Sequence, residues 1–138
     1  MEETQASSRE AVRVREATPA DLELLVAGNL ALAEESEGRR LDESVLEAGV
    51  AAVLADPARG LYLAAELGGE LAGQLLLTWE WSDWRNGWFW WIQSVYTWPW
   101  ARRSGVYRAL YTEVGLRARA RGDVRGLRLY VAREDEIA

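Results

Sequence analysis

The stretch "WFWWIQSVYT" (88–97) constrains the fold more than any other segment of this chain. Only Gln93, Ser94 and Thr97 interrupt its apolar run. Aromatic and β-branched residues favour extended backbone. A strand at the surface alternates apolar and polar residues, whereas this one is apolar on both faces. It therefore reads as a central strand, in a sheet covered by helices on both sides.

The rest of the chain supplies those neighbours. "AVRVREA" (11–17) alternates apolar and charged residues and reads as a strand. "TPADLELLVAGNLALAEE" reads as a helix. Thr18 is its candidate N-cap, Pro19 suits the first helical position and Asp21 lies in the first turn. Leu22, Leu25, Val26 and Leu30 then recur at helical spacing. "EESEGRR" (34–40) reads as a polar loop. A second helix opens at the aspartate of "LDESVLEAGVAAVLADP" and stops at Asp56–Pro57. "GLYLAAEL" and "ELAGQLLLTWEW" read as two strands joined at Gly68–Gly69, a two-residue hairpin turn. "SDWRNG" is the next turn, with Asn86–Gly87 its strongest signal. After the central strand come a loop, a helix from about Gly105 to Arg121 with Gly122 as its C-cap, and a last strand "GLRLYVA" (126–132).

This order, β-α-α-β-β-β-α-β, predicts an α/β (α+β) fold. It is a mixed, largely antiparallel twisted sheet flanked by helices on both faces. Residues 1–10 read as a disordered tail and 11–138 as a single domain, in keeping with a length of 138 residues. No apolar run reaches 18 residues, so no transmembrane helix is expected. The N-terminus lacks the apolar core of a signal peptide.

What the chain lacks narrows its chemistry. It has no cysteine and no histidine, which removes Ser-His and Cys-His catalysis and argues against a zinc site or any other metal centre. The absence of cysteine fits a cytoplasmic protein. All sixteen basic residues are arginine, so lysine Schiff-base chemistry and the Walker-type phosphate loop are excluded. The net charge of −6 is uneven: residues 1–100 carry 7 arginines and 17 acids, residues 101–138 carry 9 arginines and 5 acids. An acidic body with a basic last third does not look like a nucleic-acid footprint. It suits a protein that holds an anionic ligand in one place and a cationic one elsewhere.

All eight tryptophans lie between Trp79 and Trp100. Trp79 and Trp81 are two apart, as are Trp88 and Trp90, which is the spacing for cross-strand aromatic pairs in a hairpin. Trp84, Trp98 and Trp100 fall in turns and loops, where exposed rings could line a site. A membrane anchor is disfavoured by the acids Glu80 and Asp83. Base stacking is disfavoured by the lack of interleaved arginines.

"TWPWARRSGVYRALY" (97–111) carries the chemistry. A strand ends, an arginine pair follows, and a glycine opens a helix. Free N–H groups at a helix N-terminus bind anions, and the helix dipole assists. Gly105 permits close approach of backbone to ligand, and Arg102 and Arg103 offer charge-assisted contacts to phosphate. Read from the residues alone, the segment fits an anion site or an ordinary loop with a solvated arginine pair.

The segment resembles the hallmark of the GNAT family of N-acetyltransferases: a central strand, a proline, then Arg or Gln, two residues, Gly, one residue, and Gly or Ala. Pro99, Arg102, Arg103, Ser104, Gly105, Val106 and Tyr107 stand in that register, with Tyr107 departing at the last position. The element order is similar to the family's from about residue 12 onward, and "ATPADLELL" looks like its usual opening.

The resemblance implies acetyl-coenzyme A as cofactor and direct acetyl transfer to an amine of a small molecule or a protein. The backbone N–H groups of Arg103 to Arg108 would cradle the pyrophosphate. The strand around Val95, Tyr96 and Thr97 would meet the pantetheine arm. An amine must lose a proton before it attacks, and residues 88–97 hold no acid. Glu80 and Asp83 are then the candidate bases, and Glu34, Glu35, Trp81 and Trp84 candidates for the acceptor side. The family usually continues beyond the last strand with a helix and two more strands. "EDEIA" resembles only the start of that helix, so the domain is expected to be C-terminally short. An uncovered last strand would be an open sheet edge, which a homodimer would cover.

Two other readings compete. A non-catalytic module that binds acetyl-coenzyme A is favoured by the unassigned base and the short C-terminus. A Trp-lined carbohydrate or peptide binder is favoured by the loop tryptophans.

Overall fold

A computed structural model describes residues 12–130. The tail 1–10 and the "EDEIA" helix start lie outside the described residues. The elements are β1 (Val12–Glu16), α1 (Leu22–Glu37), α2 (Glu43–Ala55), β2 (Leu61–Leu67), β3 (Glu70–Ser82), β4 (Gly87–Thr97), α3 (Val106–Arg121) and β5 (Val124–Leu129). Short 3₁₀ turns at Pro19–Asp21 and Pro99–Ala101 precede α1 and α3. The described strands form one sheet in the order β1-β2-β3-β4-β5, antiparallel throughout except for the parallel pair β4–β5. The expected order and the mixed sheet are what forms.

The start signals act as their chemistry dictates. Thr18 and Asp21 make a reciprocal capping box, and Asp42 caps α2 by accepting from the N–H groups of Ser44 and Val45. Two boundaries differ from the expectation. Glu34–Glu37 are the last turn of α1 rather than loop, because a polar sequence continues a solvated helix until a residue ends it. Gly38, at φ 62°, is that residue. The last strand starts at Val124, two residues before the expected Gly126 and right after the aspartate that follows Gly122, and is described to Leu129; residues 131–132 of the expected strand lie outside the described residues.

Strand alternation divides the apolar residues between two cores. Leu63, Ala65, Leu75, Leu77, Trp90 and Ile92 face α3, which brings Val106, Leu110 and Val114. Tyr62 and Leu76 face the other way, toward Leu25 and Val26 of α1 and Val50 of α2. β4 thus has helix on both sides, as its two apolar faces require. Trp79 and Trp90 are cross-strand partners with rings 6.0 Å apart, and Trp81 and Trp88 lie 5.0 Å apart edge to face. The hairpin pairing expected from spacing is present. Trp84 is 94% exposed. Trp98 differs from its expected exposure: its ring packs edge to face on Tyr96 at 5.2 Å and is half-buried.

β4 contains a bulge. Gln74 pairs with Tyr96 and Leu76 with Gln93, so Ser94 and Val95 together oppose Leu75. Ser94 takes a left-handed φ of 54° to accommodate it. On the other edge, β4–β5 pairing among the described residues runs to Ile92 opposite Leu129.

Candidate functional site

The candidate anion site is the turn between β4 and α3. Pro99 starts a 3₁₀ turn; Arg103 (φ 67°) and Gly105 (φ 84°) are left-handed, and α3 begins at Val106. No described residue accepts a hydrogen bond from the backbone N–H of Arg103, Ser104, Gly105, Val106, Tyr107 or Arg108. Six consecutive donors without a described partner at the positive end of a 16-residue helix have the chemistry to hold an anion. A Cβ at Gly105 would meet nothing within 4 Å, so the approach to these groups is open. Arg103 and Arg108 have no carboxylate partner among the described residues, which leaves their charge available.

α3 can begin there because β3 makes room. A Cβ on Gly73 would lie 2.5 Å from Val106 Cγ1 and 3.1 Å from the Tyr96 carbonyl. Tyr107, where the family pattern has a small residue, stacks on Tyr111 one turn along the helix with centroids 4.5 Å apart. Burial, then the contact with Tyr107, pushes the Tyr111 phenol up.

Arg102 takes a different part from Arg103. Its Nε donates to the Thr97 carbonyl at 2.9 Å, its Nη2 donates to Glu35 Oε1 at 2.8 Å, and its guanidinium lies 5.5 Å from the centre of the Tyr96 ring. The Tyr96 hydroxyl donates to the other Glu35 oxygen at 2.7 Å. Hydrogen bonds from Arg102 and then Tyr96 hold the Glu35 carboxyl below the usual carboxylate range. Burial, then Glu35, pushes the Tyr96 phenol up. Glu35, Tyr96, Thr97 and Arg102 were singled out separately in the sequence and meet here in one cluster.

The Trp98 N–H donates to the Ala72 carbonyl. Backbone groups alternate direction along a strand, so those of Val95 and Thr97 face away from β3, on the β5 edge of β4.

The remaining candidates gather elsewhere. Glu80, Trp81, Asp83 and Trp84 line one open groove of about 280 Å³ at the β3–β4 hairpin, with Phe89 and Arg128. Glu80 Oε1 accepts from Trp91 Nε1 at 2.7 Å. Glu80 lies opposite Phe89, three residues or roughly 10 Å of strand from Ile92, the last β4 residue in the described pairing with β5. Arg128 stands 4.2 Å over the Phe89 ring, and Trp91 packs on Tyr130 at 4.9 Å. Glu34 is exposed on α1 and joins neither group. A second groove, about 550 Å³, lies beside Trp98 and Trp100, with Leu24, Arg15, Glu66 and Glu70.

Sequence reasoning missed Gln74 and Asn29, which seat α1 on the sheet. Gln74 is fully buried and donates to the Leu25 carbonyl at 3.0 Å; Asn29 donates to the same carbonyl and to the Tyr62 hydroxyl. Gly28 leaves room for the Gln74 amide, against which a Cβ would clash. Polar residues inside apolar runs were the available signal.

The sequence model described as "Acetyltransferase (GNAT) family" matches residues 28–138. The chain belongs to the GNAT acetyltransferase family, whose general activity is acyl transfer. A possible acetyltransferase from Clostridium difficile 630 is 40% identical, with a TM-score of 0.85 over 91% of this chain and 83% of that one. An integron cassette protein from the mobile metagenome of Cole Harbour Salt Marsh is 25% identical, with a TM-score of 0.78 over 93% and 81%. A predicted acetyltransferase from Clostridium acetobutylicum, with acetyl-CoA, is 18% identical, with a TM-score of 0.72 over 88% and 82%, a likeness of fold alone. No curated protein matches the sequence. No helix among the described residues is long and apolar enough to cross a membrane.

Proposed function

We propose that this protein transfers an acetyl group from acetyl-coenzyme A to a primary amine of a small molecule or protein. The observation that carries the reading is the run of N–H groups from Arg103 to Arg108 that have no partner among the described residues, just past the end of β4. The residues fit the coenzyme: six consecutive donors and two arginines without a carboxylate partner among the described residues suit a pyrophosphate, and the backbone of Val95 and Thr97 suits an amide-bearing arm. Bound there, the coenzyme supplies an acetyl thioester.

The chain's own groups would do the rest. The cradle and Arg103 bind and orient the donor. The β5 edge of β4 around Val95 and Thr97 aligns its arm. The acceptor amine must arrive without its extra proton. Glu80 is the candidate to take that proton, directly or through water, with Asp83 behind it. The acidic first hundred residues favour a cationic acceptor. The absence of histidine and cysteine is compatible with attack by the amine itself, without a covalent enzyme intermediate.

The test is thermal unfolding with and without acetyl-coenzyme A. Ligand at about 100 times its dissociation constant adds roughly 2.7 kcal/mol, a rise of several degrees for a domain of this size. Gly105→Trp should abolish the rise, because the indole fills the open approach to the cradle. No rise for the native chain at millimolar ligand would overturn the reading.

A second reading is a module that binds acetyl-coenzyme A without turnover. It is favoured by the lack of an acid on β4 and by the engagement of Glu35 with Arg102. Coenzyme A thiol released during an amine screen separates the two. A glycan or peptide binder would rest on the Trp98–Trp100 groove and would survive Gly105→Trp.

A further inference from the structure

Glu35 belongs to α1, on the face of the sheet opposite α3, yet its carboxylate reaches the donor turn. Each oxygen has one partner. Oε2 accepts from the Tyr96 hydroxyl at the end of β4, and Oε1 accepts from Arg102 at the start of the turn. Its own backbone is fixed, because Gly38 closes the helix by donating to the Ala33 and Glu34 carbonyls.

The turn needs such a hold. Arg103 is a non-glycine residue in the left-handed region, a conformation that persists only where the surroundings impose it. The N–H groups it precedes make no hydrogen bond to any described residue, so the cradle does not close on itself. Arg102 stands one residue before the strained position. Its guanidinium is tied backward to the Thr97 carbonyl and across to Glu35. The polar contacts from described side chains that fix the turn's entry therefore pass through Arg102, and the Glu35 carboxylate anchors the outer one.

We infer that Glu35 is a positioning residue: by holding Arg102 and Tyr96 it sets the turn 98–105 so that the six donors converge on one anion. Glu35 then acts on the donor side of the reaction although it stands on the acceptor-side helix. The inference rests on the acyl-transfer reading for its ligand, and on geometry alone for the turn.

Two measurements test it. The first is calorimetric binding of coenzyme A to the native chain, Glu35→Gln, Arg102→Gln and the double variant. Glutamine still accepts from Tyr96, but its amide replaces the charge that holds Arg102. Affinity should fall about tenfold, a change one lost charge-assisted contact can produce. At saturating acetyl-coenzyme A, turnover should change much less than KM for the donor. Because Glu35 acts through Arg102, the double variant should bind no worse than Arg102→Gln alone. The second is amide hydrogen exchange of the free protein: residues 98–105 should exchange faster in Glu35→Gln while β2 and β3 keep their protection.

Unchanged affinity, additive losses, or a loss of turnover with donor affinity intact would each overturn the inference, the last by moving Glu35 to the acceptor. If the native chain binds no coenzyme A, the acyl-transfer reading fails first. The exchange experiment then still decides whether Glu35 holds the turn.

Discussion

The Tyr96 hydroxyl and the Glu35 carboxylate, 61 residues apart in sequence, meet at 2.7 Å near the end of β4. Arg102 and Tyr96 lower the Glu35 pKa. The bridge is therefore intact above the ordinary carboxylate range near pH 4.3. It is lost only as the pH falls through the lower folded value. A carboxylate stabilised in this way is a weak proton acceptor. The acid limb of kcat/KM against pH should keep its midpoint in Glu35→Gln even where affinity drops. A displaced midpoint would identify Glu35 as the base.

Glu80→Gln should behave in the opposite sense. Glu80 touches Trp91 and no residue of the donor turn, so coenzyme A affinity should be retained while turnover on an identified amine falls. General-base assistance is worth about 10²- to 10⁴-fold. Equal turnover of the two proteins would leave the amine to find another acceptor for its proton.

Two glycines should respond in opposite directions to alanine. At Gly73 a methyl group meets Val106 Cγ1 at 2.5 Å and pushes the first turn of α3 off the sheet. We expect a loss of about 1–3 kcal/mol, together with weaker donor binding. Gly49 lies within α2, and a Cβ there meets nothing within 4 Å. Gly49→Ala should stabilise by about 0.5–1 kcal/mol from helix propensity. Denaturant midpoints of the two variants check both signs.

How much of this was legible in advance follows the range of the interactions. Caps, turns and strand alternation depend on residues within a few positions of one another. Thr18, Asp42, Gly68–Gly69, Gly122 and the tryptophan pairs were accordingly readable. The N–H cradle was readable as a local motif. Its support was not, because Glu35 and Arg102 are 67 residues apart and nothing in either neighbourhood names the other. The loop expected at 34–40 failed for a related reason: solvated helix and solvated loop share a composition, and only Gly38 distinguishes them.

Asp21 gives the pH prediction for stability. It is 7% exposed, accepts two hydrogen bonds from Arg15 at 2.8 and 2.9 Å, and accepts from the Thr18 N–H at 2.8 Å. The Arg15 hydrogen bonds, working against burial, lower its pKa. Its contribution is thus complete above the unfolded value near 3.9 and disappears as the pH falls through the lower folded one. Asp21→Asn should cost about 2 kcal/mol at neutral pH. It should also make the fall in stability below pH 4 shallower. An acid-unfolding curve parallel to that of the native chain would contradict this.

The extra residue at Ser94 resets the parity of β4. Before it, odd-numbered residues such as Phe89, Trp91 and Gln93 share the α1 side with Glu80 and Thr78; after it, Tyr96 does, and Thr97 turns to Gly73 beneath α3. Closing the bulge at unchanged length would restore an unbroken two-residue rhythm and exchange the directions of Tyr96 and Thr97, so that the phenol would point at α3 and the Glu35 carboxylate would lose it. Deleting one of the two residues opposite Leu75 would instead remove the bulge and leave Tyr96 opposite Gln74, on the α1 side. The extra residue is therefore a matter of wiring: at this length of β4, the bulge decides which of two neighbouring side chains reaches Glu35.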